Sequence, residues 1–214
     1  MVDLLLVGAS GLAQEVLALL RSAGDRRAIG ILDDAPARWG GRLAGVPVLG
    51  AVDTVSDHPD SEILLCVGAG IARQRIALRL RELGVETERF ALLVHHGVAI
   101  PESCRIGPGS IVLAGVVLTA DVIVREHVVI MPHVTLTHGN RISSFATLCA
   151  GVTLGGDVRL EEGAYLGMNS SVRQRVRIGS HAIIGMAAAV LTNVPAHETW
   201  LGVPARRHEN GQTL

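Results

Sequence analysis

A six-residue repeat of aliphatic residues constrains the fold of this chain more than any other feature. From Ile100 to Val190, every sixth residue is Ile, Leu or Val, at sixteen positions in succession. A period of six fits neither an α-helix nor an alternating strand, but it fits a short strand followed by a corner, stacked on its equivalent one coil away. The repeat therefore predicts a left-handed parallel β-helix with three units per triangular coil, from about Val98 to Val194.

The composition agrees with this interpretation. Hydrophobic residues make up 49% of the chain and glycine is abundant, yet aromatic residues account for only 2%. Small and branched side chains suit thin, repeated layers better than an irregular core closed by large rings. A β-sandwich of alternating strands is the alternative, but its turns of varied length would break the register of six.

The first part of the chain has a different pattern. A strand ending at Val7 precedes a glycine-rich turn and a helix, and a second strand ends on Asp33 and Asp34. A third strand leads through Gly68 into a further helix. This βαβ pattern predicts a small parallel sheet. We therefore expect a Rossmann-like α/β domain over residues 1–93, followed by an all-β left-handed β-helix domain with a C-terminal tail over residues 94–214.

Parallel sheets bind ligands at the carboxyl ends of their strands, so the first domain has a predicted substrate edge. The turn before the first helix can bind phosphate through free N–H groups, and Asp33 is spaced to accept from a ribose hydroxyl, with Asp34 as a secondary contact. NAD is an alternative ligand, but a second mononucleotide unit is missing, which favours a nucleotide sugar. The residues predicted at this edge are Gly8, Ser10, Gly11, Asp33, Asp34 and Gly68.

Charge and cysteine content exclude several classes of function. The 19 basic and 20 acidic residues give a net charge of -1 without a dense basic run, which disfavours nucleic acid as a partner. The apolar start lacks a basic region and indicates a strand, not a signal peptide, and no apolar stretch is long enough to span a membrane. Cys66, Cys104 and Cys149 have neither metal-ligand nor disulfide spacing, which predicts reduced thiols in a cytoplasmic protein without a bound metal.

The hexad run, the segment Gly202-Val203-Pro204-Ala205-Arg206 and the glycine-rich βαβ unit together resemble the sugar acyltransferases related to PglD, PerB and NeuD. The resemblance covers nearly the whole chain. It implies a homotrimer with acetyl-CoA as acyl donor in a groove between subunits. It also implies a first domain that holds a nucleotide-linked amino sugar, and direct acyl transfer with one histidine as the base.

The resemblance aligns His138 with that base, and because His138 lies two residues after the inward aliphatic Leu136, it is expected to project from a corner. An imidazole can accept a proton from an amine or hydroxyl that attacks a thioester at neutral pH. Gly139 stands where many relatives place an acid, so any carboxylate that orients His138 must come from elsewhere. His133, five residues earlier, is an alternative or second base.

The resemblance also suggests contacts with the two substrates. Leu12, which is also predicted as a substrate-binding position, replaces a histidine that contacts the sugar in relatives, and Thr147 stands where PglD-like enzymes have a histidine near the cofactor. The positions implied for acetyl-CoA are Thr147, Gly167, Met168, Gly185, Met186 and Arg206.

Three functions follow as expectations, and a fourth is disfavoured. The first is an acetyl-CoA-dependent N-acetyltransferase acting on a nucleotide-linked amino sugar, and the second is a sugar O-acetyltransferase with the same base. A third is a non-catalytic hexapeptide protein that binds a sugar nucleotide. A γ-carbonic anhydrase would need three histidines on a metal, and His127, His133, His138 and His181 do not fall into that ligand pattern.

Overall fold

The computed structural model describes residues 1–208, without the side chains of residues 22 and 23, and has two parts. The helices are α1 (Gly11–Ala23) and α2 (Gly70–Glu82), with short 3-10 helices at Pro36–Arg38, Val52–Asp57 and Thr87–Arg89. The first six strands are β1 (Val2–Val7), β2 (Arg26–Leu32), β3 (Arg42–Leu43), β4 (Val46–Gly50), β5 (Glu62–Leu65) and β6 (Leu93–Val94).

The first part is an α/β domain around one five-stranded sheet. The strand order is β3-β4-β2-β1-β5, and only the β3–β4 pair is antiparallel. Alternate residues of β1 face opposite sides, so that Leu4 and Leu6 pack with α1 and Leu5 and Val7 pack with α2. Helix α1 begins after Ser10, whose Oγ accepts the Ala13 N–H, as expected for an N-cap residue.

The second part is the predicted β-helix. Fifteen two-residue strands each end on one of the predicted aliphatic residues, and residues 18 apart pair in parallel. Ile100 is the exception to the sixteen, because it lies outside the strands and is 41% exposed. These strands are β7 (Arg105–Ile106), β8 (Ile111–Val112), β9 (Val117–Leu118), β10 (Ile123–Val124), β11 (Val129–Ile130), β12 (Thr135–Leu136), β13 (Arg141–Ile142), β14 (Thr147–Leu148), β15 (Thr153–Leu154), β16 (Arg159–Leu160), β17 (Tyr165–Leu166), β18 (Ser171–Val172), β19 (Arg177–Ile178), β20 (Ile183–Ile184) and β21 (Ala189–Val190).

The strands form three sheets, which we name by their outward side chains or by what they carry. The arginine face comprises β7, β10, β13, β16 and β19, and the threonine face comprises β9, β12, β15, β18 and β21. The domain face, on which the α/β domain packs, comprises β6, β8, β11, β14, β17 and β20, with β22 (Thr199–Leu201) and β23 (Arg206–Arg207). The predicted fold class, a Rossmann-like domain followed by a left-handed β-helix, is confirmed.

Each corner between two faces turns on a residue with positive φ. This residue stands three places after the inward aliphatic, as with His127 (φ 55°), Gly139 (φ 70°) and Asp157 (φ 58°). Equivalent corner residues of successive coils lie in columns because the coil length is 18 residues. A side chain in one coil therefore meets the corner residue 18 places away.

None of the helices among residues 1–208 is long and apolar enough to cross a membrane.

A buried arginine of α2 joins the two domains. The side chain of Arg73 on α2 is fully buried, and burial lowers its pKa to about 10, which leaves it charged at neutral pH. A buried guanidinium is tolerated only when its N–H groups are satisfied. It donates to the carbonyl oxygens of Val67 and Gly68 in its own domain, and to those of His127, Phe145 and Ala146 and the Thr147 hydroxyl in the β-helix.

His127 lies beside this arginine at the corner between the arginine and domain faces. Its ring stacks on Phe145 with centroids 5.1 Å apart and meets the edge of Phe90 at 4.6 Å. Burial, and then the charges of Arg81 and Arg73, lower the pKa of His127 to about 4. The residue is therefore neutral in the folded protein over a pH range in which an unfolded histidine is protonated.

This difference predicts a loss of stability in acid. Between pH 6.5 and about 4 the unfolded chain binds a proton at residue 127 that the folded chain does not. The free energy of unfolding therefore falls by about 1.4 kcal/mol for each pH unit by which the pH is lowered, roughly 3 kcal/mol in all. Urea unfolding of His127→Asn should show a flatter pH dependence across this range. His133→Asn, the same change at an exposed corner with φ 60°, should keep the wild-type slope; equal slopes in all three proteins would contradict the assignment.

Candidate active site

His138 stands on the corner between the threonine and arginine faces, where its side chain is exposed. The imidazole lies against Gly156 of the next coil: a Cβ on Gly156 would be 2.3 Å from Cε1 and 2.4 Å from Nε2. A cleft of about 410 Å³ opens here, lined by His138, Gly156, Asp157, Gln174 and Arg175. The corner thus presents an imidazole to an open space that a substrate can enter.

Hydrogen bonds from both sides fix the backbone around this histidine. Thr137 Oγ1 donates to the Leu154 carbonyl and Asn140 Nδ2 donates to the Gly155 carbonyl, each at 2.8 Å. The Asp157 N–H donates to the His138 carbonyl at 2.9 Å. Because these partners belong to the next coil, the position of His138 is set by the stacking of coils.

His133 lies on a different corner, between the domain and threonine faces. Its ring covers Gly115, where a Cβ would be 2.5 Å from Nδ1. Strand β12 lies between His133 and His138, so within one chain the two imidazoles project from different corners of the triangular β-helix. His133 is therefore not placed to act together with His138 within one chain.

The turn after β1 has the shape expected of a phosphate-binding turn. Gly8 has φ 100°, and a Cβ there would be 2.7 Å from Val67, so only glycine fits. The Ser10 hydroxyl donates to the Cys66 carbonyl at 2.6 Å, which ties the turn to the end of β5, while Gly11 is exposed at the start of α1. Leu12, unlike Gly11, is only 5% exposed, and its side chain packs in the hydrophobic core.

Both aspartates after β2 are engaged within the chain. Asp33 accepts hydrogen bonds from the N–H groups of Ala9 (2.7 Å) and Ala35 (2.9 Å) and pairs with Arg38 (2.7 Å). Burial alone would raise the pKa of the Asp33 carboxyl, but these donors outweigh it and keep the pKa below its ordinary value. Asp33 thus holds the turn after β1 against the end of β2, while Asp34 accepts from Val52 N–H and pairs with Arg79.

Two residues that sequence reasoning missed lie at this edge. The indole N–H of Trp39 donates to the Asp33 carbonyl at 2.7 Å, and the residue is 46% exposed. Arg38 Nη1 also donates to the Ala9 carbonyl, so its guanidinium lies beside the phosphate-binding turn. Trp39 is one of two tryptophans in a chain with 2% aromatic residues, and this rarity was the signal available in the sequence.

The positions implied for acetyl-CoA fall in two environments. Thr147 is 1% exposed, and its hydroxyl donates to the Gly68 carbonyl at 2.8 Å, so both residues lie in the domain interface. Met168 and Met186, 49% and 70% exposed, project from the corner between the domain and threonine faces. Gly167 and Gly185 precede these methionines, and Arg206 is exposed on β23.

The two predicted sites lie far apart in one chain. The α/β domain covers the domain face, through contacts such as Gly68 to Thr147, whereas His138 occupies the corner opposite that face in a triangular coil. Among residues 1–208, no three His, Cys, Asp or Glu side chains are grouped so that they could hold a metal ion.

Comparisons with known proteins agree with this architecture. Residues 3–80 match the model of the PglD N-terminal domain family. Perosamine N-acetyltransferase from Caulobacter crescentus, solved as a variant in complex with CoA and GDP-perosamine, is 27% identical with a TM-score of 0.87, and the match covers 97% of both chains. The acetyltransferase domain of PglB from Neisseria gonorrhoeae, solved with acetyl coenzyme A, is 26% identical with a TM-score of 0.86, over 96% of this chain and 98% of that one.

A curated relative matches over a shorter stretch. UDP-3-O-acylglucosamine N-acyltransferase from Caulobacter sp. (strain K31) is 32% identical over 109 residues, which are 51% of this chain and 32% of that protein. The chain thus spans about a third of the length of this relative.

The contacts of Asp33 predict a structural effect that Asp34 lacks. Asp33→Asn replaces an oxygen acceptor by an NH₂ group facing other donors, so the free energy of unfolding of the ligand-free protein should fall by about 1–3 kcal/mol. Asp34→Asn, the same change at an exposed neighbour, should cost less than 1 kcal/mol. Equal unfolding midpoints in urea for Asp33→Asn and wild type would show that the turn does not depend on this carboxylate.

Proposed function

We propose that this chain is a member of the PglD- and PerB-like hexapeptide sugar acyltransferases, and that it transfers the acetyl group of acetyl-CoA to the amino group of a nucleotide-linked amino sugar. The observation that carries this proposal is the full-length match to an N-acetyltransferase solved with CoA and a nucleotide-linked sugar, combined with an exposed imidazole at the cleft of His138. Two crystal structures of the Caulobacter crescentus perosamine N-acetyltransferase carry different substitutions of the same histidine.

In the proposed reaction His138 is the general base. The sugar amine attacks the thioester carbonyl carbon, and the imidazole takes the proton that the nitrogen loses. The tetrahedral oxyanion accepts hydrogen bonds from backbone N–H groups at the corners. When the C–S bond breaks, the proton on His138 passes to the departing thiolate, which gives CoA, the acetamido sugar and a neutral imidazole.

The substrate edge of the α/β domain holds the nucleotide in this proposal. The turn with Gly8, Ser10 and Gly11 supplies N–H groups at the start of α1 for a phosphate, and Arg38 adds a positive charge beside it. The exposed ring of Trp39 offers a surface on which a base can stack. Asp33 shapes this edge by holding the turn.

A homotrimer completes the site. Because the α/β domain of one chain faces away from its own His138, the nucleotide sugar must come from a neighbouring subunit. The threonine face carries small uncharged side chains, such as Thr153 and Ser171, and suits close packing between copies of the chain. This face is bordered by the His138 corner on one side and by the corner of Met168 and Met186 on the other.

Packing threonine faces around a threefold axis would place the methionine corner of one subunit beside the His138 corner of the next. Acetyl-CoA would then lie between them, against Gly167, Met168, Gly185 and Met186, with Arg206 available for a phosphate. Thr147 and Gly68 would contribute through the domain interface. We place this reaction in the cytoplasm, in keeping with the three buried, unpaired cysteines.

Removal of the base tests the activity. Thiol release from acetyl-CoA, measured with a panel of UDP-, dTDP- and GDP-linked amino sugars, should fall at least a hundredfold in His138→Ala because proton transfer from the amine is lost. His181→Ala, which removes an imidazole from the corner between the arginine and domain faces, away from the threonine face, should stay within twofold of wild type. A panel of the corresponding hydroxy sugars distinguishes O-acetylation, and wild-type protein that releases no thiol with any sugar would instead be a binding protein.

The assembly has its own test. Sedimentation or light scattering should give three times the chain mass of 22.5 kDa at micromolar concentration. Replacing Thr153 on the threonine face with Glu introduces a charge at the proposed contact and should yield monomers without activity, whereas Arg159→Glu on the arginine face should remain trimeric. A stable wild-type monomer that transfers acetyl groups would rule out the shared site.

A further inference from the structure

Asp157 lies one coil length after Gly139 and reaches back toward it. A Cβ built on Gly139 would be 2.3 Å from Asp157 Oδ1, so the carboxylate occupies the space that a side chain at position 139 would take. Gly156, the residue before Asp157, is also a glycine, and the His138 ring fills the space that a side chain at position 156 would take. Each of the two polar side chains therefore lies over a glycine of the adjacent coil, His138 over Gly156 and Asp157 over Gly139.

The His138 imidazole and the Asp157 carboxylate share one cleft, and both are free to interact with each other. Asp157 and His138 line the same 410 Å³ space, and both are exposed to it. Within residues 1–208 the Asp157 carboxylate forms no ion pair within 4 Å and accepts no hydrogen bond, although Arg175 lines the same cleft. The His138 imidazole likewise has no hydrogen-bond partner in the described part of the chain.

A histidine that acts as a general base works best when its second ring nitrogen donates to a fixed acceptor. That bond selects one tautomer, orients the ring and stabilises the imidazolium that forms during proton transfer. No other carboxylate lines the cleft of His138. Asp121, at the same corner one coil before His138, lies outside this cleft, and its backbone N–H donates to the Ser103 hydroxyl oxygen.

We propose that Asp157 is the positioning residue for His138, supplying from the adjacent coil the carboxylate that Gly139 cannot provide. Rotation of the two exposed side chains within the cleft would bring an imidazole N–H to the carboxylate, and the backbone bond from Asp157 N–H to the His138 carbonyl keeps the two residues in register. This inference rests on the proposed acetyl transfer.

The kinetic test uses the full-length protein with acetyl-CoA and whichever amino-sugar nucleotide of the panel supports turnover. Asp157→Asn should lower kcat about tenfold or more, with the KM values of both substrates within twofold of wild type, because the carboxylate acts on the base and not on binding. Asp157→Glu should recover part of the lost kcat. Asp121→Asn, the matched change two coils before Asp157, should retain wild-type kcat, and a wild-type kcat in Asp157→Asn would overturn the proposal.

A spectroscopic test does not depend on turnover. Long-range ¹⁵N–¹H correlation spectra report which ring nitrogen carries the proton, and the His138 signal can be assigned from its absence in His138→Ala. Wild type and Asp121→Asn should show one dominant neutral tautomer, and Asp157→Asn a mixture of both. The same tautomer ratio in wild type and Asp157→Asn would overturn the positioning role even if no sugar supported thiol release, whereas failure of the acetyl transfer alone would appear only in the kinetic measurement.

Discussion

The stacking of each coil on the next is the constraint on which the rest of the molecule depends. Parallel strands pair at about 4.8 Å, and with 18 residues to a coil every inward aliphatic lies on another aliphatic. Since the layers are so thin, the side chain of one coil must fit the corner of its neighbour. Gly139 with Asp157 and Gly156 with His138 are two cases in which a missing side chain in one coil admits a functional group from another.

Arg73 is the second decisive interaction, because it fixes the α/β domain on one face of the prism. The corners of a β-helix leave carbonyl oxygens that point outward, and a guanidinium with its five N–H donors can satisfy several of them at once. Burying this charge is tolerable only with those bonds in place. Because Arg73 holds the α/β domain opposite the His138 corner, the proposed acetyl transfer requires the proposed assembly of several chains.

Much of the fold could be predicted from the sequence, and less of the site. The period of six identified the β-helix and the inward residues, and the glycine turns identified the βαβ domain, because both patterns reflect burial repeated at a fixed spacing. The spacing predicted that Asp33 accepts from a ribose hydroxyl, and the resemblance implied that Thr147 contacts the cofactor. In the ligand-free structure the polar groups of both residues have partners from distant parts of the sequence, which no local pattern reveals.

The sequence by itself determined which residues face inward, where the strands turn and that His138 lies at a corner, because these depend on local spacing and on hydrophobic burial. The tertiary structure decided which corner each residue occupies and what lies beside it. His133 and His138 are five residues apart yet lie on different edges, whereas Asp157 is 19 residues from His138 and lines the same cleft. The physical reason is that closing three strands into a coil replaces neighbours along the chain with neighbours one coil away.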